Sequence, residues 1–414
     1  MNQLARKLET AGFMEPLDAL LADIAIRVQL SATDYGKAES RYQTISDYLD
    51  REGSPLRGLV DLLYPQGSMA IDATIASRLR TDEFDIDVIV ELALGLGVSP
   101  QVALDLLYRS IRGEPGSRYY SMTERRTRCV TIHYADSMHL DLTPAVLDAA
   151  RLTRTCVIFH HRPEDPHAPT YRLWANPWGF ADWFRTQTPF DHAFALAFSK
   201  RASLVEGRMA LDKADSEPVR PQKDAHEKSK AVIVLQLLKR WRNVQYDSRK
   251  GHRRPPSIMM AKLIADAANG TQTLFQELVV QAQYLRRVIG DAQARGEKVI
   301  VTNPRCPEDV FTDRWPASRE EQGMFISDLD RLLVKLAELP KSDPDRMRTI
   351  LSELFGETPT GAVFENYYRE LGQSIASGRS LHLAGSGRVF ASGAAAPAVA
   401  TVTRPHTFYG RPRE

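Results

Sequence analysis

Apolar and polar positions follow two different rhythms along this chain. From Leu17 to Gln29 the apolar residues recur at the spacing of an amphipathic helix. A second helix is predicted after Ser31 and Thr33, either of which can cap it. Its apolar positions are Ala38, Tyr42, Ile45, Tyr48 and Leu49, and Gly53-Ser54-Pro55 ends it. The next rhythm is that of strands. Leu59 to Tyr64 leads into Pro65-Gln66-Gly67-Ser68, and Phe84 to Leu92 (FDIDVIVEL) is rich in β-branched residues. Arg128–Tyr134 and Met138–Val146 are two further strands, with Ala135-Asp136-Ser137 as the turn between them.

After Asn176-Pro177-Trp178-Gly179-Phe180 the helical rhythm returns. It covers Ala181–Arg201, Ser229–Asn243, Ile258–Ala268, Glu320–Leu339 and Pro344–Phe355. Lys213 to Lys228 is polar, carries Pro218 and Pro221, and reads as a connector. From Ser377 onward Gly, Ser and Ala dominate, the composition of a tail that is mobile or ordered only by docking. The expected class is α+β. Residues 1–180 form a lobe built on a sheet, residues 181–390 a helical lobe, and 391–414 a flexible tail.

Composition changes this picture little. The 414 residues suit two lobes rather than one core. With 54 basic and 52 acidic residues the net charge is +2, so a protein gripping a long nucleic-acid template is not expected. Arg125, Arg126 and Arg128 leave room for a local basic patch. Cys129, Cys156 and Cys306 are too few and too far apart for a disulfide framework or a zinc site. The N-terminus lacks a signal-peptide core, and no segment approaches the ~20 apolar residues of a membrane span. A soluble, cytoplasmic protein is expected.

The chemistry concentrates in three carboxylate and phosphate motifs. Strand residues two apart share a face, so Asp85 and Asp87 project together while Ile86 and Val88 point away. Two such carboxylates repel unless a proton or a divalent cation intervenes. Asp141, in His139-Leu140-Asp141-Leu142-Thr143-Pro144, supplies a third on another strand. Three carboxylates can hold two ions that clamp the attacking and leaving oxygens of an in-line displacement. Gly67-Ser68 precedes Asp85 by 17 residues counted from the serine. Glycine admits close backbone approach, and a serine at a helix start offers a hydroxyl and an N–H to an anion. Singly, each motif is common. The order Gly-Ser, Asp-x-Asp strand, lone-Asp strand is what carries information.

These motifs resemble the DNA polymerase β-like nucleotidyltransferase superfamily. Within it they resemble the CD-NTases, the cGAS/DncV-like enzymes of bacterial anti-phage systems (CBASS). The resemblance rests on Tyr64-Pro65-Gln66-Gly67-Ser68, Glu83-Phe84-Asp85-Ile86-Asp87-Val88 and His139 to Ala145. It extends to Asn176-Pro177, Asp182-Trp183-Phe184, Leu235 to Arg240, and Pro256-Ser257-Ile258, in all about Leu17 to Ala268. It implies a bilobal enzyme with a mixed sheet, a long spine helix and a helical lobe closing the cleft. The implied activity joins nucleoside triphosphates (ATP, GTP or others) into a cyclic oligonucleotide second messenger with release of pyrophosphate. A purine-containing cyclic dinucleotide is the expected product. Asp85, Asp87 and Asp141 would be the catalytic and metal-binding residues, with two Mg²⁺ or Mn²⁺ ions. Gln66, Gly67, Ser68, Lys239 and Ser257 would bind substrate. Lys230 is a second candidate for the role of Lys239, and each lysine can instead snorkel at a helix end. Ser257 can instead be a helix cap. Some members have tails attached to targets by ubiquitin-like conjugation enzymes through a terminal glycine. Phe408-Tyr409-Gly410 is similar, but four residues follow it.

Two other readings compete. The same site can transfer nucleotides to RNA ends, a protein or a small molecule, or the fold can serve as a catalytically silent scaffold. His133 and His139 are candidates for the cleft, the latter sharing a strand face with Asp141. His160 and His161, being adjacent, face opposite ways and make a poor metal pair. Trp174, Trp178, Trp183 and Trp241 read as core or interface residues, and Tyr171 or Trp178 can border a base pocket.

Overall fold

The computed structural model describes residues 16–76, 84–165, 167–212, 228–270 and 272–376, and the short strands 381–383, 388–390 and 401–402. The connector 213–227, most of the tail and Gly410 lie outside the described residues.

Two consecutive helices open the described chain, α1 (Pro16–Val28) and α2 (Ala32–Leu49). They stand where the apolar spacing predicts two helices, with Ser31 between them as the cap. Ser31 caps α2 by accepting from the Asp34 N–H, and its extended backbone (ψ 156°) breaks the helix there. Gln29 instead makes an isolated antiparallel bridge to Ile75.

Seven strands build one mixed sheet. They are β1 (Val60–Pro65), β2 (Phe84–Leu92), β3 (Thr123–Arg125), β4 (Val130–His133), β5 (Met138–Leu147), β6 (Cys156–His160) and β7 (Tyr171–Ala175). The order is β1-β2-β5-β4-β3, with β6 added to the far half of β5 and β7 to β6. The pairing of β2 with β5 is parallel, and its register sets Asp87 opposite Asp141. Alternation explains the two faces. Ile86, Val88, Val90, Leu140 and Leu142 bury one face under α2 and α4 (Pro100–Arg112). The opposite face carries Asp85, Asp87, His139 and Asp141. Neither β6, β7 nor α4 was anticipated. Yet Ser99 caps α4, Pro100 follows it, and Ala103, Leu104, Leu107 and Ile111 lie on its buried side.

The remaining helices are α3 (Gly67–Ala70), α5 (Pro177–Gln187), α6 (His192–Asp212), α7 (Lys230–Tyr246), α8 (Ser257–Ala267), α9 (Leu274–Ala294), α10 (Arg319–Glu338), α11 (Pro344–Phe355) and α12 (Glu357–Ala376). The single helix expected over Ala181–Arg201 is two. Pro189 cannot continue the first, and the Asp191 carboxylate accepts from the Phe194 N–H to start the second. α7 runs through the middle of the helical core, with nearly every residue buried. That core also takes in Leu20 to Val28 of α1, Ala70 of α3, and Ile71, Ala73 and Ile75 of the segment after it. The segment 71–76 is thus pinned between the sheet and the helices. No described helix is long and apolar enough to cross a membrane.

Candidate active site

The β2/β5 register assembles the site. Asp87 lies opposite Asp141, and Asp85 opposite His139. On the other side of β5, Thr131 lies opposite Asp141 and His133 opposite His139. The Thr131 hydroxyl donates to Asp141 Oδ1 at 2.5 Å, which fixes that carboxylate. His139 Nδ1 lies 3.8 Å from Asp85 Oδ1. His139 and His133 are joined by a 3.2 Å N···N contact, and His133 Nε2 sits 2.9 Å from the Glu124 carboxylate. The two polar rows therefore hold the acids in place from behind.

Burial, then the Asp141 charge and the Asp85 charge, push the Asp87 carboxyl up to about 7, and Lys239 offsets part of this. An acid in that state is poised to exchange its proton for a cation. Among the described residues no three His, Cys, Asp or Glu side chains converge on one ion position. Hard divalent ions such as Mg²⁺ are ordinarily held by one or two carboxylates together with substrate phosphates and waters. The donors here are carboxylate oxygens, the ligand type such hard ions prefer.

Gly67 is dictated twice over. Its φ is +58°, and a Cβ there would lie 2.8 Å from Asp87 Oδ2. Backbone ties hold the turn, with the Gln66 N–H donating to the Asp87 carbonyl at 2.8 Å. The Gln66 side chain donates to Thr143 Oγ1 at 3.3 Å, bracing the turn against β5. Gly67→Ala is expected to cost ~1–3 kcal/mol of stability through backbone strain and to push Asp87 aside. Urea unfolding of parent and variant checks this; an unchanged midpoint would refute the dual constraint.

A cleft of about 250 Å³ opens over these groups. Gly67, Ser68, Asp85 and Asp87 line one wall, and Lys239, Arg242, Asn243, Arg254, Ser257 and Ile258 the other. Lys239 is buried, and its ammonium donates to the Ala73 carbonyl at 2.8 Å. Burial, then the Arg242 charge, lowers it to about 7, against a partial pull from Asp87. Gln236, one turn earlier on α7, donates to the Thr74 carbonyl at 2.9 Å. The segment 71–76 is therefore stitched to α7 on the cleft's floor. Ser257 is the first residue of α8, one place inside the cap position taken by Pro256, and its hydroxyl accepts from Arg242 Nη1 at 2.8 Å.

The structure brings Asp85, Asp87, Gly67, Ser68, Lys239 and Ser257 to one cleft, with Asp141 beside Asp87. Lys230 lies elsewhere, paired with Asp191 at 2.6 Å and bonded to the Gly270 carbonyl. Trp178 and Tyr171 do not line the cleft either. Trp178 meets the Tyr64 ring edge-on, and Arg154 lies over it. Arg242, Asn243 and Arg254 were not foreseen. The signal for Arg242 was present: it follows Lys239 by three residues, so both lie on one side of α7.

A mixed sheet with adjacent strands carrying Asp85/Asp87 and Asp141 behind a Gly-Ser turn, facing a helical wall of cations, is the architecture of a polymerase β-like nucleotidyltransferase. The Second Messenger Oligonucleotide or Dinucleotide Synthetase domain matches residues 14–160. The chain is 35% identical over 409 residues to the cyclic dinucleotide synthase CdnG of Bradyrhizobium diazoefficiens, covering 97% of this chain and 96% of that one. The solved structure of that CD-NTase in complex with GTP matches with a TM-score of 0.72 at 34% identity, over 86% of this chain and 100% of the other. A c-di-GMP synthase of Roseivirga ehrenbergii is 23% identical over 407 residues, 97% of this chain and 100% of that one. The protein belongs to the CD-NTase family and is a nucleotidyltransferase.

Proposed function

We propose that this cleft joins nucleoside triphosphates, GTP among them, into a cyclic dinucleotide that serves as a second messenger in anti-phage defence. The observation that carries the reading is one cleft with Asp85 and Asp87 on one wall and Lys239, Arg242 and Arg254 on the other. A triphosphate bridging divalent cations to fixed cations needs those two walls. The relatives named above support the product class, and the GTP bound to CdnG supports the substrate.

Asp85, Asp87 and Asp141 would hold two Mg²⁺ or Mn²⁺ ions, which when bound lower the pKa of the attacking hydroxyl and neutralise charge on the triphosphate. Thr131 and His139 orient the carboxylates. Gly67 and Ser68 present backbone N–H groups and a hydroxyl to the phosphates, with Gln66 bracing the turn. Lys239 and Ser257 reach the phosphates from the helical side. The cleft then lies between lobes 1–180 and 181–390.

Purified chain with radiolabelled GTP, ATP or their mixture and Mg²⁺ or Mn²⁺ is expected to yield a phosphatase-resistant product and pyrophosphate. A reaction that returns only unreacted triphosphate under both metals contradicts the reading. Extension of an RNA primer would move it to the alternative acceptor.

A further inference from the structure

Next to Arg254 of the cleft lining, Arg253, Arg314 and Arg128 gather near the β6–β7 side of the sheet, with Asp313 as the paired acid among their side chains. Arg253 precedes Arg254, which lines the cleft; its N–H donates to Glu321 Oε1 at 3.1 Å, and its Nη1 approaches the Arg314 carbonyl at 3.5 Å. The Arg314 guanidinium turns to neutral acceptors, 3.3 Å from His160 Nδ1 and 3.4 Å from Thr127 Oγ1. Arg128 is paired with Asp313 at 2.5 Å. Here burial and then the Arg128 charge bear on Arg314, Arg253 adds to them, and Asp313 and Tyr171 offset part of this. Arg128, Arg314 and Arg162 join burial in holding His160 to about 4, so its ring is neutral at physiological pH.

That neutral ring has a use. Tyr171 stacks on His160 with centroids 4.5 Å apart and planes 10° from parallel. Tyr171 is 39% exposed, so a prestacked aromatic sits beside the guanidiniums. Guanidiniums for phosphates next to an aromatic platform for a base are the two parts of a single-strand binding surface. Nothing in the joining of triphosphates in the cleft uses either.

We propose that Arg128, Arg253, Arg314 and Tyr171 form a docking site for a short single-stranded oligonucleotide next to Arg254 of the cleft lining, separate from the triphosphate site. The near-zero net charge of the chain agrees with a strand of a few nucleotides rather than a long template. The site stands independently of the reaction proposed for the cleft.

The test is fluorescence anisotropy with the full chain in EDTA and a 5′-fluorescein single-stranded RNA of ~12 nucleotides, a length spanning one such site. Saturable binding is expected, unmoved by excess GTP. Arg253→Ala with Arg314→Ala should weaken it at least tenfold and reduce the slope of log affinity against log salt by ~1.4, about 0.7 per lost phosphate contact. Tyr171→Ala should weaken it several-fold at unchanged slope, and Tyr171→Phe should restore it. Arg286→Ala, which breaks a distant pair with Asp330, should match the parent. No binding by the parent overturns the proposal. So does displacement by GTP, or an Arg253/Arg314 double variant that melts and binds like the parent.

Discussion

Asp87→Asn is expected to lower nucleotide joining at least a hundredfold while raising the melting temperature of the metal-free protein. The loss follows from removing the carboxylate nearest both Asp85 and Asp141. Metal-borne charge stabilisation contributes several kcal/mol to such a transition state, and each ~1.4 kcal/mol is tenfold. The gain follows from the burial, and then the repulsion by Asp141 and Asp85, that lift Asp87 to about 7. At pH 8 the carboxyl is ionised in folded and unfolded chains alike, so the full destabilisation is present. As pH falls through 7 toward 4 the folded chain takes up its proton first, and the destabilisation fades. A lift of about three units corresponds to at most ~4 kcal/mol. Partial hydration of a half-buried group brings the expected gain nearer ~1–2 kcal/mol, or several degrees. Melting curves in EDTA at pH 8 and pH 5 check this. Equal gains at both pH values would remove the burial and repulsion of Asp87 from the account.

Lys239→Met is expected to weaken triphosphate binding at least tenfold, the worth of a charge-assisted hydrogen bond of ~1.5–3 kcal/mol. Its effect on the unliganded protein runs opposite in pH to that of Asp87→Asn. The Lys239 ammonium is lowered to about 7 by burial and by Arg242. Above the lysine's ordinary range neither state holds the proton, and burial costs nothing extra. From there down to pH 7 the unfolded chain keeps a proton that the folded chain refuses, so the destabilisation grows, and below 7 it is complete. Methionine removes it at the expense of the bond to the Ala73 carbonyl. The stability gain should therefore be larger at pH 6.5 than at pH 9. Binding of GTP should recharge Lys239 and take up protons, seen as a buffer-dependent heat in calorimetry. Unaltered nucleotide affinity in the methionine variant would place the phosphates elsewhere.

The parts of this site legible in the sequence are those that one strand or turn decides. Asp85 and Asp87 share a face because strand geometry has a period of two, and that needs no tertiary information. Gly67 could be suspected from Gly-Ser, but its reason, a carboxylate 2.8 Å from any Cβ, exists only once β1 and β2 are paired. Partnership of Asp141 with Asp87 depends on the parallel register, which no local pattern reveals. Arg254 and Asn243 were missed for the same cause: they line the cleft only because α7 and α8 pack across from the sheet. Lys230 and Lys239 look alike as lysines on one apolar helix, and only packing separates an ion pair with Asp191 from a cleft residue. The break between α5 and α6 is signalled at Pro189 and Asp191, but the apolar positions continue on either side and mask it. α4 and α9 carried their signals too, in Ser99-Pro100 and in the capping box of Thr273 and Gln276.

The central claim is that Asp85, Asp87 and Asp141 hold divalent ions against a triphosphate. Titration of Mn²⁺ into the full chain with a non-hydrolysable GTP analogue, followed by electron paramagnetic resonance of the free ion, reads this without turnover. The account predicts nucleotide-linked Mn²⁺ binding that Asp87→Asn and Asp141→Asn each weaken at least tenfold. Mn²⁺ uptake equal to the parent's in both variants would contradict it.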